Sequence, residues 1–253
     1  MQVQKRYLKA PITEAIIDLK VTFPENFSAD RFAEIEDRVK DRFPTKEKEQ
    51  IYTGVGAFIF EPDSPVKVDA NQYHNGFLFR SADNLRIFQA TLSGFTFNRL
   101  APYESWEEFS HDAKYLWEAY KEIYKPIQVT RSAIRYVNQI HIPTEGLTNL
   151  KDYLRVLPEI PEDFPERALN SFFTQIQMPQ EDLECMLIIS EALAPQADPK
   201  FVTVTLDLDL FRQQIWESGD EDIWNFLEKL RNRKNEVFEA SITQKAKEMF
   251  GEC

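Results

Sequence analysis

Residues 86–142 restrict this chain more than any other stretch: they read as a strand, a tight connection, one amphipathic helix and a second strand. The helix is specified by several independent signals. Ser105 followed by Glu108 is a capping box, in which each side chain satisfies a free backbone N–H at the helix start. Glu104, Glu107 and Glu108 place negative charge at the positive end of the helix dipole. Trp106, Phe109, Ala113, Leu116, Tyr120 and Ile123 recur at three- and four-residue spacing and so share one apolar face. Pro126 stops the helix, with Lys125 beside the last carbonyls. Large aromatics dominate core burial, so this face reads as core rather than as a cofactor box.

The strand that follows, 129–142, has two faces. Ile134, Tyr136, Ile140 and Ile142 fall on one side with Asn138; Arg131, Arg135, Gln139 and His141 fall on the other, with Ala133 and Val137 between them. Residues 12–23 alternate in the same way. Ala15, Ile17, Leu19, Val21 and Phe23 point one way, and Glu14, Asp18, Lys20 and Thr22 the other, with Ile16 among them. Alternation of this kind means an antiparallel sheet with one face on helices and one face toward water or a partner.

A helix is expected from about Ala29 to Phe43, capped by Ser28, with Phe32, Ile35, Val39 and Phe43 inward. Strands are expected near 51–61 and 75–81. After Pro143 comes a short helix, TNLKDYLRVL, and then a Pro- and acid-rich connector over 156–167. Three strands follow in NSFFTQIQM, LECMLIISEAL and KFVTVTLDLDLF, and a long helix is expected from about Glu221 to Phe250. The pattern predicts an α+β protein: an antiparallel sheet with helices packed on one side, in two meander-plus-helix halves. The expected division is 1–145, a connector over 146–170, and 171–253. The serine-box starts Ser105-Trp106-Glu107-Glu108-Phe109 and Ser218-Gly219-Asp220-Glu221 make an internal duplication a natural expectation.

Composition narrows the function classes. The 253 residues include 43% hydrophobic side chains and 20 Phe, enough for a substantial core. Only 7 glycines occur, and neither GxGxxG nor GxxxxGK[ST] is present, which speaks against a phosphate-cradling loop. A net charge of −12 disfavours nucleic acid as a partner, since phosphate binding needs clustered Lys and Arg. The N-terminus has no apolar signal core, and no apolar run is long enough to cross a membrane, so a cytoplasmic protein is expected. Cys185 and Cys253 fit neither a disulfide framework nor a zinc site.

Three segments, PITEAIID at the start, GFTFNRLAPYESWEEF…RYVNQIHIP in the centre and LRNRKNEVFEASITQKAKEMFG at the end, resemble a sporadically distributed family of uncharacterised prokaryotic proteins. The resemblance spans essentially the whole chain. It implies no established activity and no catalytic residues, and sporadic distribution points toward mobile or defence-linked genes.

No motif carries an evident chemistry. Glu14 and Asp18 share a strand face but stand roughly 13 Å apart, too far for an acid–base couple on that strand alone. Asp207 and Asp209 share an outward face with Thr203 and Thr205, which reads as a solvated sheet face in preference to a hard-cation site completed by a neighbouring strand. His74, His111 and His141 have no ligand spacing, so no metal and no cofactor are expected. The cluster Arg231-Asn232-Arg233-Lys234, flanked by Glu228, Glu236 and Glu239, reads as a solvated, self-paired helix face. Arg131, Arg135, His141, Glu14 and Asp18 are the candidate partner- or ligand-binding residues, because the two arginines offer forks to carboxylate or phosphate. Against that stands an internal ion-pair network. The expected function is a non-enzymatic interaction protein, of the antitoxin or immunity type, with a protein partner encoded nearby. A small-ligand-binding protein with a sheet–helix cavity, or a divalent-cation enzyme with dispersed carboxylates, are the alternatives; oligomeric state is left open.

Overall fold

A computed structural model describes residues 7–53, 71–147, 149–165, 169–195, 198–217 and 221–251. Their strands are β1 (Ile12–Thr22), β2 (Thr45–Thr53), β3 (Asn71–Arg80), β4 (Arg86–Thr91), β5 (Gly94–Leu100), β6 (Gln128–Pro143), β7 (Phe173–Gln180), β8 (Cys185–Leu193) and β9 (Phe201–Glu217). All nine join one sheet in the order β2-β3-β4-β5-β1-β6-β9-β8-β7, with every pairing antiparallel. The α+β class with an antiparallel sheet is therefore the observed architecture. The helices are α1 (Glu36–Val39), α2 (Trp106–Tyr124), α3 (Asp222–Ser241) and α4 (Gln244–Phe250).

Two runs of the chain follow one plan. In the first, β1 is followed by short helices, a β2–β5 meander that returns beside β1, and α2. In the second, β6 is followed by a short helix, a β7–β9 meander that returns beside β6, and α3. The seam is the β1–β6 pair, where Ile17 faces Ile134. The connector 146–170 does not separate two sheets, because β6 before it pairs with β9 beyond it from Gln128↔Glu217 to Pro143↔Phe201.

The core lies on one side of this sheet. Ala15, Ile17, Leu19, Ile134, Tyr136, Ile140, Leu206 and Leu208 are fully buried, and α2 and α3 pack over that face. Ser105 caps α2 as its sequence dictates, accepting from the Glu108 N–H at 3.2 Å, and Lys125 ends the helix in a left-handed conformation. The buried face of α2 adds Trp117 and Tyr124 to the expected residues, while Ile123 is only partly buried. Two of the scarce glycines serve strand packing: at Gly94 (φ 138°) a Cβ would lie 2.1 Å from the Leu19 carbonyl oxygen, and at Gly76 (φ 155°) 2.1 Å from that of Ala90.

Several expected elements differ in detail. The 29–43 helix is a 3-10 segment over Ala29–Ile35 and a single α turn, although Phe32, Ile35, Val39 and Phe43 are all buried as their spacing requires. The strand expected at 51–61 starts earlier, at Thr45; its part from 54 onward lies outside the described residues. The helix after Pro143 is one 3-10 turn, Leu150–Asp152. The serine box at Ser218 also lies outside the described residues, and Glu221 begins α3 without a side-chain cap.

The terminal helix is two helices. Ile242 is extended, and the Thr243 side chain restarts the chain as α4 by accepting from the Ala246 N–H. β-Branched residues are poor in helix interiors, and here the backbone of 153–155 takes over their hydrogen bonds. Arg155 N–H donates to the Ser241 carbonyl at 2.8 Å, and Thr243 N–H donates to the Tyr153 carbonyl at 2.9 Å.

Candidate functional site

The polar faces of three strands come together because β1, β6 and β9 are adjacent in the sheet. Arg131 Nη1 donates to Asp18 at 2.8 Å, and its Nη2 donates to Asp209 at 3.3 Å. Lys20 pairs with Asp18 at 2.9 Å, and Thr96 donates to the same carboxylate at 3.0 Å. Arg135 grips Asp207 with a fork, Nε at 2.9 Å and Nη2 at 2.5 Å. Glu14 accepts from Asn98 at 2.6 Å, and His141 sits 2.8 Å from the Thr203 hydroxyl. The five candidate residues are thus on one face, but Arg131, Arg135 and Asp18 are engaged with one another and with Asp207 and Asp209. This is a cross-strand ion-pair ladder of the kind that stabilises sheets. Asp207 and Asp209, the other carboxylates with metal potential, are each held by an arginine. Burial pushes the Asp209 carboxyl up, against the opposing pull of Arg131. Among the described residues no group of three or more His, Cys, Asp or Glu side chains is placed to hold a metal ion.

The other face offers a different site. A cleft of about 1180 Å³ opens between α3, the start of α2 and the N-terminal segment. One wall is Arg231, Lys234, Asn235 and Phe238 of α3; the facing wall is Tyr103 and the first turn of α2. Tyr7 and Ala10–Ile12 close one end. That segment is tied down where Leu8 and Lys9 donate to the Gly251 and Phe250 carbonyls at 3.0 and 2.9 Å. Tyr7 packs edge-on against Phe238 and Phe250, and its hydroxyl donates to Glu239 at 2.6 Å. Asn138, a buried polar residue on the inner face of β6, also lines the cleft.

Lys234 is the unusual member. It is 7% exposed, and its amine stands 3.9 Å from the centre of the Tyr136 ring, a cation–π contact. Among the described residues no carboxylate pairs with it. Burial, reinforced by the neighbouring Arg231 charge, pulls the amine down to about 7. Arg231 is 9% exposed and bonds Asn232 Oδ1 at 3.1 Å. Tyr136 is fully buried and shares a hydroxyl–hydroxyl contact of 3.1 Å with Tyr103, whose phenol burial pushes up to about 12. Most carboxylates around the cleft have cations of their own. Glu239 pairs with Lys247 at 2.7 Å, Glu236 with Arg233 at 3.1 Å, and Glu104 with Arg99 at 3.3 Å. Glu107 sits exposed at the rim.

The expected solvated reading of Arg231–Lys234 therefore holds for Arg233, which pairs with Glu236 and Asp182, and is corrected for Arg231 and Lys234, which turn inward. The signal was present. Leu227, Leu230 and Phe238 form an apolar stripe, and Lys234 stands in it one turn before Phe238. A second depression, of about 240 Å³, is lined by Arg86, Arg99, Asp83, Glu104, Glu108 and Asp112. Its cations are already matched, Arg86 with Asp112 at 3.6 Å and Arg99 with Glu104 at 3.3 Å.

Comparisons with protein families, curated proteins and solved structures gave no match. No described helix is long and apolar enough to cross a membrane.

Proposed function

We propose that this protein binds a small anionic molecule in the cleft between α3 and the start of α2. The observation that carries the reading is Lys234: a 93% buried cation, with no carboxylate partner among the described residues, facing a cleft large enough for a metabolite-sized ligand. An isolated buried charge is costly unless something compensates it. An anion in the cleft would supply that compensation and would also meet Arg231, whose planar fork suits carboxylate or phosphate. The positive end of the nineteen-residue helix α2 opens onto the same space.

The interaction-protein reading drew on the polar sheet face. Its arginines are matched to aspartates, whereas Lys234 in the cleft has no carboxylate partner among the described residues. A reducing, cytoplasmic setting suits the ligand-binding reading, since the Cys185 thiol is buried and free and burial pushes its pKa up.

Calorimetric titration with citrate and with inorganic phosphate tests the proposal. Saturable binding of either anion, lost in Arg231→Gln and Lys234→Met while both variants still melt cooperatively, is the expected result. Heats that are the same in the wild type and both variants would overturn it.

A further inference from the structure

The ladder, the smaller depression, the buried Glu191, the uncharged edge strand β7 and the cleft each present unused chemistry, and the cleft amine carries an inference furthest. Resting on the anion-binding reading above, we infer that Lys234 is a covalent site: its amine forms an imine with an anionic carbonyl compound, an aldehyde or ketone bearing a carboxylate or phosphate.

Three structural features converge on this. The amine is enclosed yet opens on a cleft that admits small molecules. It lies against the Tyr136 ring and next to Arg231, and among the described residues no carboxylate pairs with it, which leaves the nitrogen uncommitted. Arg231, one helical turn away on the same face, is placed to hold the anionic group of a compound whose carbonyl carbon reaches Nζ. The surroundings also suit the protonation state. With its pKa near 7, about half of Lys234 is neutral at neutral pH, whereas an ordinary lysine is roughly a thousandfold less so. The charged or titratable neighbours are Arg231 on α3, Tyr103 before α2 and Tyr136 on β6, with Tyr7, Glu104, Glu107, Glu236, Glu239 and Lys247 around the cleft.

The chemistry balances without any further reactant. The Nζ lone pair attacks the carbonyl carbon, and the C=O pair moves to oxygen, which gains a proton as the amine loses one. The resulting carbinolamine loses its hydroxyl as water, with the second amine proton, and leaves a C=N bond. Borohydride then delivers hydride to the imine carbon and fixes the adduct as a secondary amine.

The test uses the full chain, glyoxylate as the probe and sodium borohydride as the trap, with the adduct located by peptide mass spectrometry. The expected result is a carboxymethyl addition concentrated on Lys234, at least tenfold above the exposed Lys229 and Lys245, falling with Arg231→Gln and suppressed by excess citrate. Adducts spread evenly over surface lysines with Lys234 unmodified would overturn the inference. So would an unmodified Lys234 in a protein that still binds citrate, and that outcome would leave the anion-binding reading standing. Loss of both citrate binding and trapping would remove the two together. Lys234→Met provides the blank, and its cooperative melt shows that loss of the adduct is not loss of the fold.

Discussion

Replacing Lys234 by Met should make the protein more stable at neutral and mildly acidic pH. Met keeps the unbranched apolar stem in its site beside Tyr136 and removes only the amine. In the folded chain that amine sits at about 7, against 10.5 for an ordinary lysine. At 1.36 kcal/mol per unit, the difference corresponds to a ceiling of about 5 kcal/mol. The sign follows from proton counting. Between pH 7 and 10.5 the unfolded chain holds a proton the folded chain has released, so wild-type stability rises with pH across that window. Below pH 7 both states are charged and the folded one carries the full burial penalty. Against the gain stands the lost cation–π contact, worth about 0.5–2 kcal/mol. The variant should therefore gain about 3 kcal/mol at pH 6, shrinking toward nothing by pH 10. Urea midpoints of the two proteins at pH 6, 7, 8 and 9 measure it, the difference cancelling groups common to both. A variant less stable at pH 6, or a difference that ignores pH, would refute the reasoning.

Glu191 presents the mirror case: it is 1% exposed, has no hydrogen-bond partner among the described residues, and burial pushes its carboxyl up to about 8. The folded chain holds the extra proton between pH 4.5 and 8, so wild-type stability falls as pH rises through that window, and Glu191→Gln should gain about 3 kcal/mol at pH 7 and almost nothing at pH 4.5 by urea midpoint. Arg135→Ala should cost less than about 1 kcal/mol despite its forked bond to Asp207, because the side chain is 49% exposed; a loss of several kcal/mol would mean that the ladder is a structural element in its own right. Trp117→Ala should cost about 3–5 kcal/mol, since the indole is 1% exposed and packs on Phe95 and Tyr120. The partly exposed Trp224, beside Lys114, should cost less.

The legible parts of this fold are those where periodicity and burial agree. β1, β6 and β9 alternate over most of their lengths, and α2 carries both its cap and its apolar stripe, so each appears where its residues place it. Their adjacency was legible only as a condition: Arg131 and Arg135 could be matched by Asp18 and Glu14 if β1 lay beside β6, and the match of Arg135 with Asp207 on β9 emerges only from the assembled sheet. The break in the last helix was not readable. Ile242 continues the apolar pattern, and the backbone groups that bond Ser241 and Thr243 at the break come from 153–155, distant in sequence. Local pairing rules also hid the cleft. They account for Arg233 by Glu236 but do not extend to positions 231 and 234, which fall on the buried side of the helix. Glu191 shows the same lesson in a strand, standing where the alternation Cys185, Leu187, Ile189 calls for another apolar residue. A charged residue interrupting an apolar period is the sequence trace of such a site.

Nuclear magnetic resonance of the protein labelled at lysine Cε and Nζ, titrated through pH with and without citrate, tests the central claim most directly. One lysine, identified as Lys234 by its absence from Lys234→Met, should titrate near 7 in the free protein and move upward when citrate occupies the cleft. A Lys234 that titrates with the ordinary lysines, or one near 7 that no anion moves, would contradict it.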